Sequence, residues 1–311
     1  MGKATREAYG EALRELGARF KDIIVLDADL SKSTKTNLFA KEYPNRFFNV
    51  GIAEQNLVGT AAGLAAAGKI PFVSTFAIFA SGRAFEQIRN SVCYPKLNVK
   101  IAATHAGLTV GEDGATHQAI EDISLMRTIP NMTVIVPADA TETHQAVTFA
   151  AQYKGPVYIR LGRMGAPDVF GGDYEFCHGK AVQLAEGNDL TIIATGMMVA
   201  TARRAADELT QAGLSARVLN IHTIKPIDVA AIVAAANDTG AIVTCEEHSI
   251  IGGLGSAVAE VLVENAPVPL ERVGVLDVFG ESGTPDALLA KYNLTVADIV
   301  RAAKRVVSRK K

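Results

Sequence analysis

The sequence predicts an α/β protein of two three-layer domains built on parallel sheets. Short apolar runs rich in Ile, Val and Phe alternate with helix-length stretches along the chain, the pattern of strands joined by helical crossovers. The alternation lapses once, over a stretch rich in glycine with one proline, and then restarts, which marks a boundary. At 311 residues and 49% hydrophobic content, the chain is long enough for two substantial cores.

In the first half Thr5–Leu16 reads as a helix, and Ile23–Leu26 and Phe47–Val50 as strands. Gly51 ends the second strand, and the small-residue run Leu57–Ala67 follows as a helix. Strands at Ile70–Val73, Lys100–Ala103, Thr133–Val136 and Val157–Arg160 continue the series, with helices at Phe85–Val92 and Ala140–Gln152 between them. From Met164 to Glu186 the periodicity weakens around Pro167 and several glycines. The division drawn is a first domain over 1–166, a linker over 167–187 and a second domain over 188–311. In the second domain Thr191–Ala194, Arg217–Asn220 and Ala241–Thr244 read as strands, and Met198–Ala212, Ile227–Ala236 and Val296–Val307 as helices.

A formal net charge of −2 gives no electrostatic footprint for nucleic acid. Lys304, Arg305, Arg309, Lys310 and Lys311 form a short basic tail, read as a solvated helix end. Cys93, Cys177 and Cys245 are far apart and make no Cys-x-x-Cys pair, which points to a reducing cytoplasm. The N-terminus lacks the apolar core of a signal peptide. Leu57–Ala67 is too short, and too rich in Ala and Gly, to span a bilayer, so no membrane is expected.

The segment Asn49-Val50-Gly51-Ile52-Ala53-Glu54-Gln55-Asn56 carries the most chemistry. It sets Glu54 at a strand-to-helix junction among apolar neighbours, where ionisation is costly and a shared proton is favoured. Such an acid can exchange a proton with a ring nitrogen in a dry pocket; the plainer reading is a carboxylate favoured by a helix N-terminus. His105, Asp113 and His117 lie on the loop after the Lys100–Ala103 strand, where α/β proteins place ligands. They read as substrate contacts, with a metal site the lesser alternative because the glycines pin no ligand spacing. Phe76 and Phe79 are either core or an aromatic wall for a flat heterocycle. Arg160 and Arg163 stand at a strand end as a phosphate clamp or a solvated pair. Gly253-Leu254-Gly255 lacks the third glycine of a dinucleotide loop and reads as a tight helix start.

Taken together and in order, these motifs resemble the C-terminal half of transketolase over essentially the whole chain. The resemblance implies a thiamine-diphosphate-binding pyrimidine domain with a parallel sheet, then a C-terminal domain with a mostly parallel sheet. Glu54 in Gly-Ile-Ala-Glu-Gln-Asn corresponds to the glutamate that bonds the aminopyrimidine ring of thiamine diphosphate. Phe76 and Phe79 correspond to the wall holding that ring, with Gly82 where a third aromatic is usual. His105 corresponds to a residue that helps hold the sugar phosphate, Asp113 to a contact with the hydroxyl beside the carbonyl, and His117 to a proton-transfer residue. Arg6, Ser33 and Arg163 correspond to contacts at the phosphate end, with Lys35 and Arg160 as possible substitutes. Asp29 corresponds to an acid at the cofactor and subunit interface.

The Gly-Asp-Gly motif and later asparagine that hold the bridging metal in full-length transketolases have no counterpart in this sequence. The resemblance therefore implies one half of a split enzyme. Mg2+ or Ca2+ would be bound mainly through an N-terminal transketolase subunit, in a heterotetramer of two plus two chains, with this chain also self-associating as a dimer. The implied activity is transfer of a two-carbon glycolyl unit from a ketose phosphate to an aldose phosphate, the pentose-phosphate sugars being the default. The rivals are 1-deoxy-xylulose-phosphate synthase, which usually has arginine where His105 stands, the beta subunit of a 2-oxoacid dehydrogenase, and a regulatory remnant that only binds a partner.

Overall fold

The computed structural model describes residues 2–310. Met1 and Lys311, the outer ends of the two domain ranges and of the basic tail, lie outside the described residues. Twelve strands appear among them: β1 (Ile23–Asp27), β2 (Phe47–Asn49), β3 (Ile70–Phe76), β4 (Lys100–Thr104), β5 (Thr133–Ile135), β6 (Val157–Arg160), β7 (Val182–Ala185), β8 (Leu190–Ala194), β9 (Ala216–Asn220), β10 (Thr223–Lys225), β11 (Ile242–Ser249) and β12 (Leu270–Val275).

Two α/β domains with mostly parallel sheets result. The first sheet has the order β10-β5-β6-β4-β3-β1-β2, and the second β12-β11-β8-β9-β7. All pairings from β5 to β2 are parallel. Every residue of β1, β4 and β6 is buried, as befits strands covered by helices on both faces. The lysine that opens β4 fits there because Lys100 Nζ donates to Asn98 Oδ1, Tyr153 O and Gly155 O at 2.6–2.7 Å. Burial pushes that amine down to about 7.

Two strands depart from the sequence reading. β7 lies inside the stretch read as linker and pairs antiparallel with β9. β10 follows β9 in the chain yet pairs antiparallel with β5 of the first sheet. Hydrophobic packing is accordingly continuous: one cluster of buried residues contains Ile24 and Val73 together with Ile193 and Ile221. Neither strand alternates strongly enough over its 3 or 4 residues to be read from periodicity.

The helices begin for local reasons. Asp139 caps Ala140–Gln152 by accepting from the Glu142 amide at 2.8 Å. The helix predicted from Leu57 starts earlier, at Glu54. The segment read as a helix from Phe85 is flanked by wider π-helical turns at Phe79–Arg83 and Ile88–Cys93, a distortion that often accompanies functional sites. Gly253 does precede a helix, Leu254–Asn265, whose first amides donate to the buried carboxylate of Glu246.

Candidate active site at the carboxyl ends of the first sheet

β1, β2, β3, β4 and β6 run in parallel, so the segments that follow them emerge on one edge of the sheet. Helix N-termini and strand ends converge there, which is where ligands bind open α/β sheets. Ser33 and Asp29 follow β1, Glu54 follows β2, Phe76 and Phe79 close and follow β3, His105 follows β4, and Arg163 follows β6.

An aromatic cluster forms the centre. The rings of Phe76 and Phe79 lie 5.9 Å apart and nearly parallel, at 10°. His105 stacks on Phe76 at 3.8 Å, and His117 stands edge-on to Phe79 at 5.5 Å. A Cβ added at Gly82 would meet no atom within 4 Å. The place of the third aromatic is therefore open space on this chain.

His105 is buried and adopts φ +57°, a left-handed conformation uncommon for a non-glycine residue and typical of functional turns. Its Nε2 lies 3.4 Å from Arg6 Nη1, and its Nδ1 lies 2.9 Å from Thr104 Oγ1. A guanidinium can only donate. Nε2 must therefore accept, and the proton sits on Nδ1, donated to Thr104. Burial, reinforced by Arg6, Arg163 and His117, pushes the imidazole down to about 3. The same Arg6 Nη1 donates to the Ser33 carbonyl at 2.9 Å, so Ser33 meets Arg6 through its backbone. Arg6 Nε is buried without a hydrogen-bond partner.

Glu54 is 1% exposed. Its Oε2 accepts from Arg83 Nη1 at 2.7 Å, and the Arg83 guanidinium lies 4.6 Å from the Phe79 ring centroid. This corrects the expectation of purely apolar neighbours: the fold supplies a cationic partner. The partial signal in the sequence was the short spacing of Phe79 and Arg83, which the fold closes within one π-helical turn.

Arg163 Nη1 donates to Val110 O at 2.5 Å and to Asp113 Oδ2 at 3.3 Å. Asp113 is thereby tied to Arg163 and not to the ring cluster. Asp29 also stands apart: it is exposed, and its Oδ1 accepts from Asn49 Nδ2 at 2.8 Å. Arg160 is not available as a phosphate clamp. Its Nε pairs with the buried Asp122 at 2.9 Å, and its Nη2 donates to the carbonyls of Ala119 and Glu247. Among the described residues no group of three or more His, Cys, Asp or Glu is placed to hold a metal ion. Nor is any described helix long and apolar enough to cross a membrane.

Residues 1–168 match the family described as transketolase, pyrimidine binding domain, and residues 179–299 match transketolase, C-terminal domain. The chain belongs to the transketolase family. A solved structure titled "Split gene transketolase, inactive beta4 tetramer" superposes with a TM-score of 0.94 at 62% identity, covering 100% of both chains. The 6-deoxy-6-sulfo-D-fructose transketolase subunit SqwH of a Clostridium species is 49% identical over 98% of this chain and 95% of its own length. An apulose-4-phosphate transketolase subunit of Phocaeicola vulgatus is 42% identical over 98% of both. Transketolases are thiamine-diphosphate enzymes, and this chain is similar along nearly its full length to proteins named as transketolase subunits and to a split-gene transketolase.

Four residues now in view were not singled out in the sequence: Arg83, Thr104, Asp122 and Glu247. Glu247 was hidden because β11 runs five residues past Thr244, carrying Glu246, Glu247 and His248 into the buried interior.

Proposed function

We propose that this chain is the pyrimidine-side subunit of a two-chain, thiamine-diphosphate-dependent transketolase that moves a two-carbon glycolyl unit from a ketose phosphate to an aldose phosphate. The observation that carries the reading is the buried carboxylate of Glu54, tied through Arg83 to a face of near-parallel aromatic rings beside open space at Gly82. Those residues fit a flat, nitrogen-containing ring: an aromatic face to stack on, and an acid for a ring nitrogen. Thiamine diphosphate, when bound, supplies the carbon that accepts and releases the two-carbon unit.

In this reading Glu54 Oε1 meets the pyrimidine and moves a proton there, while Arg83 holds the other oxygen. His105, neutral and accepting from Arg6, cannot itself supply charge to an anion. Arg6 and Arg163 therefore provide the positive charge for the sugar phosphate, and His105 orients Arg6. Asp113 and His117 face the sugar's hydroxyl and carbonyl oxygens. Asp29 and its neighbours contribute to the subunit interface. The diphosphate and its Mg2+ or Ca2+ are held mainly by an N-terminal transketolase subunit, in a complex of two plus two chains. We place it in the reducing cytoplasm, in keeping with the free thiols of Cys93, Cys177 and Cys245.

His105 favours transketolase over the synthase reading, in which arginine is usual at that position. Relatives named for a sulfo-sugar and for apulose phosphate widen the donors worth testing beyond pentose-phosphate sugars. The test mixes this chain with a purified diphosphate-domain subunit, thiamine diphosphate and Mg2+, and offers a panel of ketose phosphates with aldose acceptors. Two-carbon transfer by the mixture, and by neither chain alone, is the expected result. A mixture that binds cofactor but decarboxylates a 2-oxoacid instead would replace this reading.

A further inference from the structure

The loop Leu108–Asp113, which carries Asp113, is held from the second domain as well as the first. Glu247, at the end of β11, is 4% exposed and reaches into the first domain, where its Oε1 accepts from the Thr109 amide at 2.6 Å. Gly107 precedes the loop at φ +83°, and a Cβ there would collide with the Glu247 carboxylate. The close approach thus needs glycine twice over, for conformation and for space. The backbone of Glu247 is itself fixed, because its carbonyl accepts from Arg160 Nη2 at 2.9 Å, and Arg160 is paired with Asp122. On the far side of the loop, Arg163 Nη1 holds Val110 O and Asp113 Oδ2.

We propose that Glu247 is a positioning residue for the sugar-phosphate site, acting from the second domain through the Thr109 amide to set the loop that presents Asp113 and anchors Arg163. The proposal rests on the assignment of that loop to the substrate. It gives the second domain a part in the reaction beyond assembly. A buried carboxylate is expensive unless its hydrogen bonds are made. Burial pushes Glu247 up to about 7, opposed by Arg160 and by the Thr109 amide. An apolar residue would fill the same volume at lower cost, so the acceptor function accounts for the carboxylate. Thr109 lies one residue from Val110, whose carbonyl Arg163 holds, so a displaced Thr109 amide moves both acceptors that Arg163 Nη1 uses on this loop.

The test uses Glu247→Ala, Glu247→Gln and Glu247→Asp in the full chain, assembled with its diphosphate-domain subunit. Amide exchange is read over 108–113 and, as a reference, over the helix Glu54–Ala66. Losing one backbone acceptor should speed loop exchange about tenfold in Glu247→Ala and leave the reference helix unchanged. KM for the ketose phosphate should rise about tenfold with thiamine diphosphate affinity unchanged. Glu247→Gln keeps an oxygen acceptor and should return exchange and KM to within about threefold of the native values. Should Glu247→Ala fail to fold, Glu247→Asp, which withdraws the acceptor by one methylene, should show the same pattern in smaller measure. A folded Ala or Asp variant with native loop exchange would overturn the proposal, as would a Gln variant as impaired as Ala. Because exchange needs no turnover, a complex without two-carbon transfer would refute the functional reading while the role of Glu247 stayed measurable.

Discussion

Arg83 joins Glu54 to Phe79: its Nη1 donates to the Glu54 carboxylate at 2.7 Å, and its guanidinium lies 4.6 Å from the Phe79 ring centroid. One cation therefore bridges the acid and the aromatic face that a heterocycle would use together. The carboxylate is buried, whereas the arginine side chain is 48% exposed. The pair is thus solvated on one side, and it fixes geometry more than it adds stability. Phe79 and Arg83 are the two ends of one π-helical turn.

Arg83→Met should consequently cost little stability, below about 1 kcal/mol, because the ion pair is screened. It should weaken thiamine diphosphate binding in the two-chain complex about tenfold, since the Glu54 oxygen it orients is left without its donor. Chemical denaturation and calorimetry separate the two effects. A large stability loss with native affinity would mean that the pair serves the fold alone.

His105 should stay neutral across the physiological range, with its proton on Nδ1. Its value of about 3 lies below the ordinary 6.5, so between those limits the unfolded chain binds a proton that the folded chain refuses. The contribution of His105 to stability is therefore complete above about pH 6.5 and declines as pH falls toward 3. Nitrogen NMR of the ring should show one tautomer from pH 8 down to 5. The pH dependence of unfolding between 6.5 and 5 should be shallower in His105→Gln. A ring that titrates near 6.5 would refute both the tautomer and the role given to Arg6.

If Arg6 supplies charge to the sugar phosphate as proposed, Arg6→Ala should raise KM for a ketose phosphate by one to two orders of magnitude through loss of a charge-assisted contact. It should hardly change the use of the unphosphorylated ketose, and the discrimination between the two donors should shrink accordingly. Arg6→Lys should rescue it only in part, because one Arg6 nitrogen, Nη1, already reaches both the Ser33 carbonyl and His105 Nε2, and lysine lacks the remaining fork of donors that a planar guanidinium offers an anion. Equal losses on both donors would assign Arg6 to the fold.

Much of this arrangement was legible in the sequence because it rests on local chemistry. Gly51 marks the junction before Glu54, Phe76 and Phe79 stand three apart at the end of a strand, and the Gly111–Gln118 loop follows a strand of apolar residues. What stayed hidden depends on distant parts of the chain. β10 joins the first sheet across the domain boundary, and no property of Thr223–Lys225 itself announces that pairing. Arg160 resembled a phosphate ligand until Asp122, 38 residues away in sequence, took its guanidinium. Glu247 reaches Thr109 across 138 residues. Polar groups buried by tertiary contact are the ones periodicity leaves out, because their burial is decided by the partner.

On its own the chain should form dimers or larger assemblies. The helix Glu54–Ala66 turns Gly59, Thr60, Gly63 and Ala66 outward, and Ile52 just before it is 78% exposed. A Cβ at Gly59 or Gly63 would meet nothing within 4 Å inside the chain, so a large side chain there fits the isolated fold. Gly63→Arg should therefore keep the melting temperature of a monomer-forming chain while disrupting association, as read by sedimentation. Native chain that sediments as monomer at working concentration would count against this face as an interface.

Glu54 itself gives the sharpest test. Glu54→Gln keeps shape and hydrogen-bonding length but cannot share its proton with a ring nitrogen, and Glu54→Ala removes the partner altogether. Each should fold, because the carboxylate sits at a helix start whose packing rests on Leu57, Val58 and Ala61. In the two-chain complex, proton exchange at the reactive carbon of the bound cofactor should slow by orders of magnitude in both variants. Affinity should fall by about 1–3 kcal/mol in Glu54→Ala, where a buried ring nitrogen goes unpaired. If Glu54 served only as the helix-start carboxylate, the pattern would invert, with lowered stability and native exchange. Near-native exchange in a folded Glu54→Gln complex would remove the residue on which the thiamine assignment turns.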